Sequence, residues 1–309
     1  MRDVLDWTRE RFQRAGLPSA RLDAEVLLAT VLGCQRIELY TGLEKPLAPA
    51  ERERLRDLVR RRLEHEPVAY ITGKREFWSL PLAVDRRALI PRPETETLVE
   101  EALRLLPADA PARVCDVGTG SGAIALALLS ERPALTVVAI EQEDGARAVA
   151  AANAAAVEGG ALAARLELRA GDLLAPLAAE ERFALIVSNP PYVESAALAT
   201  LMPDVRDFEP RAALDGGADG LAVVRRLVGA APAHLAPGGA LLLEIGAGQF
   251  AAVAALAAAA PDAWGAARAV RDHSGIERVA VLPSARAAPA ALDAAAPPAP
   301  ADSDPETAA

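Results

Sequence analysis

Apolar residues recur along this chain with two different periods, and the change falls near residue 75. Before it the spacing is helical. Val4, Trp7, Phe12 and Leu17 begin one apolar face, and Ala24, Val26, Leu27, Leu28, Val31 and Leu32 form another, closed by Gly33. A further helix carries Leu55, Leu58, Val59 and Leu63 inward and Arg52, Arg54, Arg56, Arg60, Arg61 and Arg62 outward. Interleaved with Glu51, Glu53, Asp57 and Glu64, these arginines read as a solvated face; docking of an acidic partner is the sharper reading. From 75 to 90, Phe77-Trp78-Ser79-Leu80 and Leu82-Ala83-Val84 alternate and break at Pro81, the pattern of a linking hairpin. Pro91-Arg92-Pro93-Glu94-Thr95-Glu96 then opens a helix bearing Leu98, Val99, Ala102, Leu103 and Leu106, with proline and acids in its first turn.

From about 112 the pattern alternates strand and helix. Strands are expected at Val114–Val117, Thr136–Ile140, Leu166–Leu168, Ala184–Val187 and Ala240–Ile245. Helices are expected at Ala123–Leu129, Ala146–Ala156 and Leu221–Leu235, and Val270 and Val279–Leu282 read as two closing strands. Such alternation predicts an α/β fold with a parallel, doubly wound sheet. The division is therefore a helical unit at 1–73, a hairpin linker at 74–92, an α/β domain at 93–283 and an Ala/Pro-rich tail at 284–309 that is expected to be disordered.

Composition narrows the function classes. The 309 residues carry a formal net charge of -10, which argues against broad, sequence-independent nucleic-acid binding. Cys34 and Cys115 stand far apart, without metal-ligand or disulfide spacing, and both are expected in the core; no metal site is expected. The N-terminus lacks an apolar signal segment. The most apolar stretch, 239–260, is interrupted by Glu244 and Gln249 and reads as strand, turn and helix rather than a membrane span. A soluble cytoplasmic protein is expected.

Chemistry concentrates at two strand ends. Ser188-Asn189-Pro190-Pro191-Tyr192 follows the predicted strand ending at Val187. Proline ends a ladder, and each ring restricts the residue before it, so Asn189 is expected to project from the carboxyl edge of the sheet, where open α/β sheets bind ligands. Its side-chain oxygen and the Pro190 carbonyl are two fixed acceptors, suited to a planar –NH2 group. Asp116-Val117-Gly118-Thr119-Gly120-Ser121-Gly122 follows the first strand and opens the first helix, where glycines let a ligand approach the main chain and helix N–H groups are free. Glu141, ending the second strand, suits the hydroxyls of a ribose, and Asp172 suits a position near an adenine ring. The same glycines satisfy the dinucleotide fingerprint Gly118-x-Gly120-x-x-Ala123, so an NAD-dependent oxidoreductase is the competing reading. Two features favour S-adenosylmethionine: Asp116 precedes the first glycine, where it suits an ammonium group, and Asn-Pro-Pro-Tyr has no role in hydride transfer.

With these motifs in frame, the chain resembles the S-adenosylmethionine-dependent methyltransferases of amide and amino nitrogens. Among them it resembles the protein-(glutamine-N(5)) methyltransferases of peptide chain release factors. Further matches are Asp23-Ala24-Glu25, Glu66-Pro67-Val68-Ala69-Tyr70, Arg75-Glu76-Phe77-Trp78, Leu89–Glu96, Phe208-Glu209-Pro210, Leu214-Asp215-Gly216-Gly217 and Glu277-Arg278-Val279. The resemblance covers about Asp3 to Leu282 and departs at Glu141, where an aspartate is often found, and at Leu173, where some relatives carry an aromatic. It implies a Rossmann-like, seven-stranded class I domain joined by a β-hairpin to a helical substrate-docking domain. It also implies S-adenosyl-L-methionine as cofactor and, as substrate, the glutamine of the Gly-Gly-Gln motif in release factors.

The residues expected at the cofactor are Asp116, Gly118, Thr119, Gly120, Ser121, Gly122, Glu141, Asp172, Leu173 and Asn189. Those expected at the substrate are Asn189, Pro190, Pro191 and Tyr192, with Tyr192 packing on the glutamine. His65, His234 and His273 receive no catalytic role, and a monomer is expected. The alternatives carried are an adenine-N(6) or other nucleic-acid amino methyltransferase, and a non-catalytic protein that docks through helix 51–64.

Overall fold

The computed structural model describes residues 1–286; of the tail expected from 284, residues 287–309 lie outside them. The first unit is five helices: α1 (Arg2–Arg14), α2 (Ala20–Leu32), α3 (Glu38–Thr41), α4 (Pro49–Leu63) and α5 (Val68–Thr72). Gly33 ends α2 in the left-handed conformation at φ 64°, which glycine adopts without strain. Phe12, Leu27, Leu28, Leu39 and Leu55 fill the centre of this unit.

Three expectations are corrected here. Trp7 is 50% exposed, since α1 buries only Thr8 and Phe12; its ring lies instead beside the Arg11 guanidinium. Cys34 is only half-buried at the core's edge, whereas Cys115 is fully buried. Arg62 does not belong to the solvated face. It is buried, its Nε donates to Asp23 at 2.8 Å, and its Nη1 donates to Asp204 at 2.9 Å and to the Glu66 carbonyl. A single arginine thus joins the helical unit to the far domain.

The linker is a two-stranded hairpin, β1 (Lys74–Phe77) and β2 (Leu80–Ala83), turned at Trp78-Ser79 with φ of 52° and 59°. Positive φ at both turn positions matches the natural strand twist. The hairpin is fixed to the α/β domain by polar contacts. The buried Asn153 amide pairs with both main-chain groups of Ala83 and donates to the Ser121 carbonyl; Trp78 Nε1 donates to Glu131 at 2.7 Å.

The α/β domain contains the helices α6 (Glu96–Leu105), α7 (Ala123–Glu131), α8 (Asp144–Ala156), α9 (Pro203–Arg206), α10 (Ala222–Ala230) and α11 (Phe250–Ala258). Its strands are β3 (Ala112–Val117), β4 (Leu135–Glu141), β5 (Leu166–Ala170), β6 (Phe183–Ser188), β7 (Leu235–Glu244), β8 (Arg268–Arg271) and β9 (Glu277–Pro283). They form one seven-stranded sheet in the order β5-β4-β3-β6-β7-β9-β8. The sheet is parallel except that β9, one of the two closing strands, runs antiparallel to both its neighbours. The helix expected to reach Leu235 ends sooner, because a 3-10 turn containing Pro232 follows α10 and Leu235 enters β7.

Alternate strand residues face opposite layers. Val114, Val137, Leu185, Val187 and Leu242 pack with α6 and α7, while Val117, Val138, Ile140, Ile186 and Leu243 pack on the other side, toward α10 and α11. Chain order reverses between β3 and β6, opening a crevice at their carboxyl ends. No helix among the described residues is long and apolar enough to cross a membrane.

Removing one partner of a buried ion pair strands the other charge. Arg62→Ala should therefore lower the unfolding free energy by about 3 kcal/mol. Arg60→Ala, whose ion pairs to Asp57 and Glu64 are exposed, should cost no more than about 1 kcal/mol. Urea denaturation of the two variants checks both values; equal losses would mean that Arg62 carries no special burden.

Candidate active site

The crevice at the reversal holds a cavity walled by both singled-out stretches. Val117, Gly118 and Gly120 form one side and Ser188, Asn189, Pro190 and Pro191 the other; Glu141, Gln142, Asp172 and Leu173 close one end. Arg87, Ala88 and Leu89 from the linker's exit and Pro210, Ala212 and Ala213 complete the mouth.

Gly118, Gly120 and Gly122 all have positive φ, at 72°, 58° and 83°, so the turn requires a residue without a Cβ penalty. A Cβ built on Gly118 meets nothing within 4 Å: the main chain there stands open to the cavity. Glu141 holds this turn. Its Oε2 accepts from the Gly120 N–H at 2.9 Å and its Oε1 from the Glu143 N–H at 3.0 Å. Each carboxylate oxygen keeps a further lone pair for a ligand hydroxyl.

Asp116 is fully buried and does not line the cavity. Its Oδ2 accepts from the Thr119 hydroxyl at 2.6 Å, while its Oδ1 is buried without a partner. Thr119, Ser121 and Gly122 likewise stand behind the cavity surface. Burial pushes the Asp116 carboxyl up to about 7, against the opposing hydrogen bond from Thr119. Asp172 does line the cavity, but its Oδ2 pairs with Arg226 at 2.5 Å. Leu173 follows in the left-handed region at φ 51°. Sequence reasoning had no signal for Arg226, which lies on α10, far away in the chain.

The Asn189 side chain donates through Nδ2 to Thr95 Oγ1 at 3.2 Å. Tyr192 does not line the cavity. It turns back over the sheet, its hydroxyl donating to Glu244 Oε1 at 3.3 Å and its carbonyl accepting from Gln249 Nε2 at 3.0 Å. The residues after Asn189 are pinned from below. Val193 bridges to Asp215, the Gly216 N–H donates to the Val193 carbonyl, and a Cβ at Gly216 would stand 2.7 Å from the Pro191 carbonyl oxygen. Of the residues named from sequence, the cavity unites Gly118, Gly120, Glu141, Asp172, Leu173, Asn189, Pro190 and Pro191. Thr95 and Glu244, quoted only in passing from sequence, prove to be structural neighbours of Asn189 and Tyr192.

A parallel sheet with a glycine turn after its first strand, an acid ending the second and one antiparallel closing strand defines the class I methyltransferase fold. The catalytic domain of hMettl16, solved with a MAT2A 3'UTR hairpin, is similar in fold, with a TM-score of 0.54 at 14% identity over 66% of this chain and 76% of that one. Family models match residues 3–73 as a PrmC N-terminal domain and residues 95–203 as a methyltransferase small domain. The release factor glutamine methyltransferase of Geobacter sulfurreducens is 49% identical over 81% of this chain and 85% of its own length. That of Cereibacter sphaeroides is 44% identical over 91% and 93%. The chain belongs to the release factor glutamine methyltransferase family.

The raised Asp116 carboxyl favours the fold at low pH, and that contribution is lost as pH climbs from its ordinary 3.8 through about 7. Asp116→Asn removes the titration. Its melting temperature relative to the parent protein should therefore rise by several degrees between about pH 4 and pH 8. Parallel melting curves across that range would show that the carboxyl does not titrate there.

Proposed function

We propose that this protein transfers a methyl group from S-adenosyl-L-methionine to the side-chain amide nitrogen of the glutamine in the Gly-Gly-Gln motif of peptide chain release factors. The observation that supports it most is Asn189. It shares one cavity with Gly118, Gly120 and Glu141, and its Nδ2 is already committed to Thr95, which leaves Oδ1 as an acceptor. The residues suit the cofactor: the open main chain at Gly118 admits a ligand, and Glu141 has lone pairs for ribose hydroxyls. Asp172 and Leu173 line the end of the cavity where an adenine would lie, and Asp116 with Thr119 would keep the turn in shape beside the methionine moiety. When bound, the cofactor supplies an electrophilic methyl group on a sulfonium.

An amide nitrogen is a weak nucleophile because its lone pair is delocalised into the carbonyl. The chain's contribution is orientation. Asn189 Oδ1 and the Pro190 carbonyl accept the two N–H bonds and hold the nitrogen facing the methyl donor. Among the described residues no main-chain N–H takes the Pro190 carbonyl, so it is free for this role. Pro190 and Pro191 keep both acceptors rigid. The surplus proton passes to solvent after transfer, and no histidine is needed. A cytoplasmic, monomeric enzyme without a metal or a nucleic-acid partner completes the reading.

Asn189→Ala should lower turnover by about 100-fold or more while cofactor affinity largely survives, because a misplaced reacting group costs that much. Mass spectrometry of a purified release factor after incubation with enzyme and cofactor should find one added CH2 on the loop glutamine; labelled cofactor with DNA or RNA should give no product. Near-parental turnover of Asn189→Ala, or transfer to nucleic acid instead, would overturn the proposal.

A further inference from the structure

Glu244 is a buried carboxylate that the chemistry above does not use. It ends β7 at 1% exposure, and its Oε2 is buried without a partner. A carboxylate in that position is costly unless it is paired or has work to do. Its place in the sheet supplies the work. Ser188 of β6 pairs with Leu243 of β7, so Asn189 and Glu244 follow at the same height on adjacent parallel strands. Both continue the rows of Val187 and Leu242, which face the layer of α6. Thr95, in the 3-10 turn entering α6, lies over that face and is itself buried. Its hydroxyl accepts from Asn189 Nδ2 and is close enough to Glu244 to help hold the carboxyl charged.

The order of donors along this row has a direction. An ionised carboxylate only accepts, and a threonine hydroxyl has a single proton. With Glu244 charged, its unpartnered Oε2 is the acceptor that draws this proton, and the hydroxyl's lone pair is left for the Asn189 amide. Tyr192 gives its proton to the same carboxylate. The two ends of an asparagine amide are nearly equal in size, so shape alone does not choose between them. The reversed amide would turn an –NH2 toward the incoming –NH2 of a glutamine, donor against donor.

We infer that Glu244, acting through Thr95, is a positioning residue that locks the Asn189 carboxamide with Oδ1 toward the cavity, making the site selective for a primary amide. The inference rests on the glutamine reading above. The groups facing Glu244 are the Thr95 hydroxyl, Tyr192 on the 189–193 loop, Arg278 on β9 and Glu94 in the turn before α6. Burial raises its carboxyl, Thr95, Arg278 and Tyr192 oppose the rise, and Glu94 adds to it. Protonated Glu244 becomes a donor to Thr95, frees the threonine proton for Asn189 Oδ1 and favours the reversed amide. Activity should therefore fall on the acid side as this carboxyl protonates.

The test uses the full chain, S-adenosylmethionine and a purified release factor. Thr95→Val should lower kcat/KM for the release factor by about 10-fold or more with cofactor affinity by calorimetry unchanged, and Thr95→Ser should restore most of it, as expected for one orienting hydrogen bond. Glu244→Gln should lower kcat and remove the acid limb of the pH–rate profile. Thr95→Val at parental activity, Thr95→Val with lost cofactor affinity, Thr95→Ser as impaired as Thr95→Val, or an unchanged acid limb in Glu244→Gln would each overturn the assignment. Failure of the parent protein to methylate the release factor would instead overturn the glutamine reading itself.

Discussion

Desolvated carboxylates at the carboxyl ends of parallel strands set the shape of this site. Asp116 is the last residue but one of β3, Glu141 ends β4 and Glu244 ends β7, and all three are buried. Their hydrogen bonds come from neutral donors: the Thr119 hydroxyl, the Gly120 and Glu143 N–H groups, and the Tyr192 hydroxyl. A buried carboxylate without such bonds is expensive, so each one draws the loop beside it into a single conformation. The glycine turn is held by two of them from below and beside. The Asn-Pro-Pro-Tyr loop is held by the third.

A second set of buried charges ties the units of the chain together. Arg62 joins α4 to Asp23 of α2 and to Asp204 of α9. Arg92, at the end of the linker, pairs with Glu209, whose other oxygen accepts from the Ile90 N–H. Tyr70 of α5 donates to the Ala88 carbonyl at 2.7 Å, next to the cavity mouth. The segment after β6 is thereby anchored to the helical unit and to the linker, and the cavity mouth is assembled from three separate parts of the chain.

Much of this was legible in the sequence, because the signals were local. Gly33 and Gly118 announce turns that need positive φ, and the alternation of apolar runs gives strands β3 to β7 in order. The two prolines that follow Asn189 mark it as a strand end. The errors came from information that is not local. Arg62 looks like its neighbours Arg60 and Arg61, and only Asp204 makes it a core residue. Tyr192 reads as a pocket aromatic until Glu244, brought alongside by strand register, takes its hydroxyl. The direction of β9 depends on sheet closure, which no short window encodes.

The Arg62 junction also bears on how the chain matures. Asp23 is made before Arg62, but Asp204 comes 142 positions later. A chain growing from its N-terminus therefore carries a helical unit whose central cation has only half its counter-charge, until β6 and the segment beyond it have emerged. Contacts of such wide sequence separation close late. The helical unit is thus free to fold on its own core early in synthesis, and its seating against the sheet is deferred until the wall of the cavity exists.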